Sequence, residues 1–204
     1  MGSIMGNELV EFLSRYIPVS DDLATALSKA SMYRVFPKGR VLLREGEPAT
    51  MGYFVLRGCV RSYVLKEGDD RTIDFFIEEE PVIPLEYGKG CPSTHFLECV
   101  EETVAVVSTP DQEERMLAEY PQLKSVCLTM SEIMSEKLRE CLARYRVSTP
   151  EERYRELIER RPGLLQRVPQ YQIASYLGVK PESLSRIRRR LALRGGGKAA
   201  PDRS

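Results

Sequence analysis

Residues 170–189 read QYQIASYLGVKPESLSRIRR and carry the side chains whose types and spacing most clearly imply chemistry. Glu182 and Arg186 are four residues apart, so a helix would stack them one turn apart on one face. An arginine so placed can make a paired hydrogen bond to the edge of a guanine, and a glutamate can accept from a cytosine amino group. Lys180, Ser183 and Ser185 flank this pair. Arg188, Arg189 and Arg190 follow and suit phosphate oxygens, which fix register rather than sequence. Gln170 and Tyr171, with Gln172, are placed to touch the backbone of the same duplex. Residue types in this order imply non-covalent contact with double-stranded DNA.

Such a pair works only if two short helices cross closely and present the second one outward. The crossing needs a small residue, and Ala174 stands there, fifth in the window. The turn needs a residue that accepts positive φ, and Gly178 stands ninth. Ile173, Leu177, Val179, Leu184 and Ile187 supply the shared apolar core. Pro181 can open the second helix because its missing N–H would have no partner there anyway. The window reads as a helix-turn-helix; an ordinary helical hairpin would not need basic residues along its outer face.

Further elements must carry this unit. Thr149-Pro150-Glu151-Glu152 has the form of a capping box and starts a helix that ends before Pro162-Gly163. Upstream, apolar residues Leu123, Cys127, Met130, Met134, Leu138, Cys141 and Tyr145 recur at three and four. A helix over 121–147 would be about 40 Å long at the usual rise. Its stripe fits packing against its own domain, or a coiled-coil seam with a second copy, which the heptad-like spacing favours. Val147-Ser148 is the hinge between the two helices. Residues 32–108 instead alternate short β-branched and aromatic runs with Gly and Pro turns, the pattern of an antiparallel roll, barrel or sandwich. Residues 7–30 read as two short helices.

The net charge of zero conceals a division, because residues 151–204 hold 13 Lys+Arg against 6 Asp+Glu. A basic end on an acidic body suits a polyanion partner. Five cysteines, at 59, 91, 99, 127 and 141, show no metal or redox spacing and fit a reducing compartment. Cys59, Cys91 and Cys99 read as small packing residues. No apolar run is long enough for a membrane span, and Met1–Asn7 has no secretory pattern, so a cytoplasmic protein is expected. There is no P-loop, metal-spaced His/Cys set or nucleophile–base constellation, which argues against an enzyme.

The segments FPKGRVLLREGEP, YFVLRGCVRSY, the EGDD turn and IASYLGVKPESLSR resemble the Crp/Fnr superfamily of bacterial regulators, from about Met32 to Leu193. The resemblance implies an α+β fold: a cyclic-nucleotide-binding-like antiparallel β-roll, a long dimerisation helix and an all-α helix-turn-helix domain. The expected boundaries are 1–110 for the roll with its N-terminal helices, 111–147 for the dimer helix, 148–194 for the DNA-binding domain and 195–204 for a disordered tail. The implied partners are double-stranded DNA bearing a near-palindromic site, a second copy of the chain, RNA polymerase and a small effector, with no membrane. Pro181 stands where the family usually has arginine, and the hairpin wing that usually follows the recognition helix is missing.

In the family's cyclic-AMP-binding members, Gly-Glu-Leu holds the ribose and a following Arg-Ser holds the phosphate. Here the region reads PVIPLEYGKGCPSTHF, without Gly-Glu-Leu and with Ser93-Thr94 in place of Arg-Ser. A buried phosphate without a cation is costly, so cyclic AMP is not expected and no cofactor is assigned. Arg61 and Arg71, with Glu86, Ser93 and Thr94, are the candidate residues of any other effector pocket; Lys89 is a further candidate cation. Residues 1–30 lack the cysteines of iron–sulfur members, and His95, the only histidine, is expected at a strand neighbour or solvent rather than on haem. The competing function is a sensing or protein-interaction module that never touches an operator; the salt dependence of affinity for random duplex DNA separates the two.

Overall fold

The computed structural model describes residues 2–29 and 33–195. Two helices, α1 (Gly2–Ser14) and α2 (Asp21–Lys29), lead into eight strands: β1 (Tyr33–Phe36), β2 (Val41–Leu43), β3 (Gly52–Arg57), β4 (Val60–Lys66), β5 (Asp69–Phe76), β6 (Pro81–Val82), β7 (Phe96–Cys99) and β8 (Thr103–Ser108). They form two four-stranded antiparallel sheets, β1-β8-β3-β6 and β2-β7-β4-β5. Between the sheets lie Leu43, Tyr53, Val55, Val60, Val82, Leu97, Cys99, Ala105 and Val107. The alternation in β7 sends Leu97 and Cys99 inward and therefore Glu98 outward. This is the roll expected from the sequence. Strand β6 has only two residues, one of them proline, and so leaves no period in the sequence to detect.

Thr109 caps α3 (Pro110–Glu119) through a full capping box with Gln112. The long helix α4 (Leu123–Tyr145) follows. Its buried residues, Leu123 and Val126, join α1 and α2 in a second core with Leu9, Phe12, Leu13 and Leu23, and Met130 packs against it. Thr149 then caps α5 (Pro150–Arg160), again with a full box through Glu152. Completing the chain are the short α6 (Leu164–Arg167), α7 (Gln170–Tyr176) and α8 (Pro181–Gly195). α8 continues through the place where a wing would start. The tail expected at 195–204 lies, beyond Gly195, outside the described residues.

The helix-turn-helix closes as its sequence requires. Ala174 is fully buried at the crossing, and Ile173, Leu177, Leu184 and Ile187 form the core with Val179 against them. Gly178 adopts φ +70°, and the N–H groups of Gly178 and Val179 bond back to the carbonyls of Ser175 and Ala174. These two bonds make a Schellman cap, which needs the left-handed residue that glycine supplies cheaply.

Candidate nucleic-acid interface

The first turn of α8 opens after Lys180, whose carbonyl accepts from the N–H groups of Ser183 and Leu184. Leu184 and Ile187 point into the domain, so residues between them face out. Lys180, Glu182, Ser185, Arg186, Arg188, Arg189 and Arg190 are all exposed, and Ser183 is half-buried. The Arg186 Nε lies 3.4 Å from the Glu182 carbonyl oxygen, one turn back, which holds its stem along the helix and leaves the rest of the guanidinium outward. Arg190 behaves differently, pairing with Glu151 at 2.6 Å and so bracing α8 on α5. Gln170 and Tyr171 are exposed at the start of α7. Glu182, Ser185, Arg186 and Arg189 thus share the outward face of α8, while Arg190 turns to α5 and Gln170 and Tyr171 stand exposed on α7.

What holds that domain on the roll was not visible in the sequence. Arg167, in α6, donates to Glu78 and Glu101 and to the Gly58 carbonyl, the last at 2.7 Å. Arg161 donates to the Phe75 carbonyl at 2.7 Å and to Glu80 at 3.1 Å. Burial pushes the Glu78 carboxyl up, but its hydrogen bonds from Arg167 outweigh this and hold it below the ordinary range. Between the two arginines, the Phe75 and Tyr176 rings meet edge to face at 5.4 Å. Ser175 accepts from the Thr72 N–H at 2.9 Å and donates to the Asp70 carbonyl at 3.2 Å. α7 therefore lies directly against β5. Phe75 is fully buried as a result.

The hinge is braced as well. The Arg153 guanidinium lies over the Tyr145 ring, 4.5 Å from its centroid, and donates to the carbonyls of Ser148 and Leu177. Tyr145 reaches the turn too: a β-carbon on Gly178 would sit 3.0 Å from its hydroxyl.

Along α4 the structure divides the apolar stripe of the sequence. Leu123 and Met130 turn toward the chain's own core. Cys127, Met134, Leu138, Cys141 and Tyr145 remain exposed, joined by Leu128 and Leu142. Ser131, also exposed, takes the place Met130 vacates. The outward row is thus 127, 131, 134, 138 and 141, with spacings of four and three, the repeat of a heptad seam, while Tyr145 packs under Arg153.

The residues considered for an effector pocket are only partly brought together. Glu86 is buried, and its Oε1 accepts from the Thr94 hydroxyl at 2.9 Å and the Thr94 N–H at 3.3 Å. Ser93 is buried beside them and donates to the His95 carbonyl. His95 is buried rather than set against solvent, its Nδ1 3.9 Å from Glu86. Arg61 is elsewhere: it pairs across the sheet with outward-facing Glu98, at 2.9 Å, and with Asp70, at 2.7 Å. Arg71 is exposed next to Asp69. Lys89 is also exposed. Cys59 and Cys99 pack in the interior as expected for small apolar residues, with burial pushing their thiols up to about 12 and about 11, whereas Cys91 is exposed.

With the geometry in hand, comparison places the chain. Its fold is that of the Crp/Fnr-type regulators. Within it, residues 33–120 match the family described as "Cyclic nucleotide-binding domain". The structure of FixK2 from Bradyrhizobium japonicum matches with a TM-score of 0.66 at 21% identity, covering 82% of this chain and 88% of that one. The c-di-GMP-responsive global regulator CLP from Xanthomonas campestris matches with 0.62 at 18% identity, covering 80% and 87%. A CooA mutant from Carboxydothermus hydrogenoformans matches with 0.59 at 17% identity, covering 80% and 77%. No curated protein matches the sequence. Among the described residues no helix is long and apolar enough to cross a membrane.

Proposed function

We propose that this chain is a bacterial transcription regulator that binds a near-palindromic operator as a homodimer through α8. The observation that carries the reading is the solvent-open face of Glu182, Ser185, Arg186 and Arg189 on a helix anchored from behind by Leu184 and Ile187. Paired recognition helices about 34 Å apart would enter successive major grooves. The exposed heptad row on α4 supports pairing with a second copy. A contact with RNA polymerase belongs to the same reading.

Cyclic AMP is not part of it. A cyclic phosphate needs a cation, and the buried polar groups at 86–95 are an acid, one hydroxyl and an imidazole, with the hydroxyl of exposed Thr94 bonded to the acid. Of the two arginines considered as substitutes, Arg61 is held by Asp70 and Glu98, and Arg71 is exposed beside Asp69. Any effector would therefore be of another chemical class.

The test is Arg186→Ala in a footprinting or mobility-shift assay. Loss of a base contact costs about 1–3 kcal/mol, so affinity should fall roughly tenfold or more and preference at one base pair per half-site should relax. Unchanged selectivity in that variant would refute the placement of α8. A salt titration on random duplex separates a DNA reader, whose affinity falls steeply, from a pure protein-interaction module.

A further inference from the structure

Cys127 and Cys141 are both exposed and stand 14 residues apart on α4, two heptads, so they occupy the same position of the outward row. Met134 lies midway between them on that row, and Leu138 follows, 61% exposed. The buried face of α4 is that of Leu123 and Val126, with Met130 against the same core, and Cys127, Met134, Leu138 and Cys141 stay exposed among the described residues. An amphipathic face of this kind is matched best by its own copy, because a two-fold axis running along the helix pair brings every seam residue to itself. Two helices with axes about 10 Å apart, each carrying its Cα atoms at about 2.3 Å radius, place facing Cα atoms about 5.4 Å apart. Disulfides span Cα separations of about 4.4–6.8 Å.

We infer that Cys127 and Cys141 each pair with their own counterpart across the α4 seam, forming inter-subunit disulfides that lock the dimer covalently under oxidising conditions. This rests on the homodimer reading above. The co-reactant is a low-molecular-weight disulfide. One cysteine thiolate attacks it, a mixed disulfide forms and a small thiolate leaves. The partner's thiolate then displaces the second small thiol, so that two protein thiols are oxidised to one S–S bond and one reagent disulfide is reduced to two thiols. Partial burial, and secondly the Glu113 carboxylate, raise the Cys127 thiol. In a reducing cell such bonds would be transient and would report oxidative challenge. Their effect would be on assembly: a covalent dimer keeps both recognition helices available at chain concentrations where the reduced dimer dissociates.

The experiment uses the full chain with exposed Cys91 replaced, Cys91→Ser, and three variants built on it: Cys127→Ser, Cys141→Ser and both together. Each is equilibrated with oxidised glutathione, run on a non-reducing gel and, in reductant, sedimented to equilibrium. The expected result is a band at twice the 23.2 kDa chain mass in both single variants, absent in the double one, reversed by dithiothreitol. Operator binding by the oxidised protein should then become independent of dilution. If reduced protein sediments as a dimer but neither single variant cross-links, the seam register is wrong and the inference falls while the homodimer stands. If reduced protein is monomeric at every concentration, the homodimer reading falls and takes the inference with it.

Discussion

Removing Arg167 tests whether the small helical domain is fastened to the roll or merely lies against it. An exposed ion pair is worth under about 1 kcal/mol, and Arg71→Ala, which removes a 3.8 Å pair between two exposed side chains, should cost about 0.5 or less. Arg167 is different. Its side chain is only 25% exposed, it engages two carboxylates, and it also donates to the Gly58 carbonyl. Charge-assisted hydrogen bonds contribute about 1.5–3 kcal/mol each without adding linearly, and truncation strands the acceptors. Glu78 would keep the Gly58 N–H at 2.9 Å, but Glu101 would face it without a cation. With a discount for partial exposure, Arg167→Ala should cost about 2–4 kcal/mol of coupling between domains. Urea unfolding followed by tyrosine circular dichroism reads this directly, since the Phe75–Tyr176 contact sits at the junction. The wild-type chain should unfold in one transition, and the variant should split into two, the helical domain melting first. A single transition with a midpoint no lower than that of Arg71→Ala would refute the clamp.

Three more outcomes follow from the geometry. Gly178→Ala places a β-carbon in the left-handed region and 3.0 Å from the Tyr145 hydroxyl, so urea unfolding should register a loss of about 1–2 kcal/mol or more. Leu138→Glu puts a carboxylate at the centre of the proposed seam, from which each subunit loses about 1.5–3 kcal/mol of apolar burial; sedimentation should show dimer affinity reduced by about a hundredfold or more. The Glu78 carboxyl is held below its ordinary value in the folded chain, so its contribution is present above the unfolded carboxylate range, near pH 4, and is lost as pH falls through the lower folded value. The near-ultraviolet tyrosine signal should therefore change below about pH 4 in wild type, and that change should be absent in Glu78→Gln, where the titration is gone.

Periodicity and turn chemistry made most of the architecture readable in advance. Thr109 and Thr149 mark their helices by cap and proline; both boxes are formed. Ala174 and Gly178 announce the helix-turn-helix because few residues tolerate a tight crossing or a left-handed turn. The junction was opaque for the opposite reason. Arg161 and Arg167 look like any surface arginines in a basic segment, and their partners Glu78, Glu80 and Glu101 lie 66–89 positions away in the chain. The α4 stripe was half legible: a three-and-four pattern permits both Met130 and Ser131, and only packing against α1 and α2 decides which of them turns inward. Arg61 was misleading because strand alternation around a bulge between Ser62 and Tyr63 cannot be phased without its partners.

The Ser175 hydroxyl, bonded to both the Thr72 amide and the Asp70 carbonyl, meets β5 along the outer rim of its sheet. Rims of that kind present unused main-chain donors and acceptors to whatever strand comes by. The helical domain therefore acts as a sheath for the roll. A fragment cut at the hinge would expose this rim together with the Phe75 ring, and such fragments should stick to one another, strand to strand, in preparations where the whole chain stays dispersed.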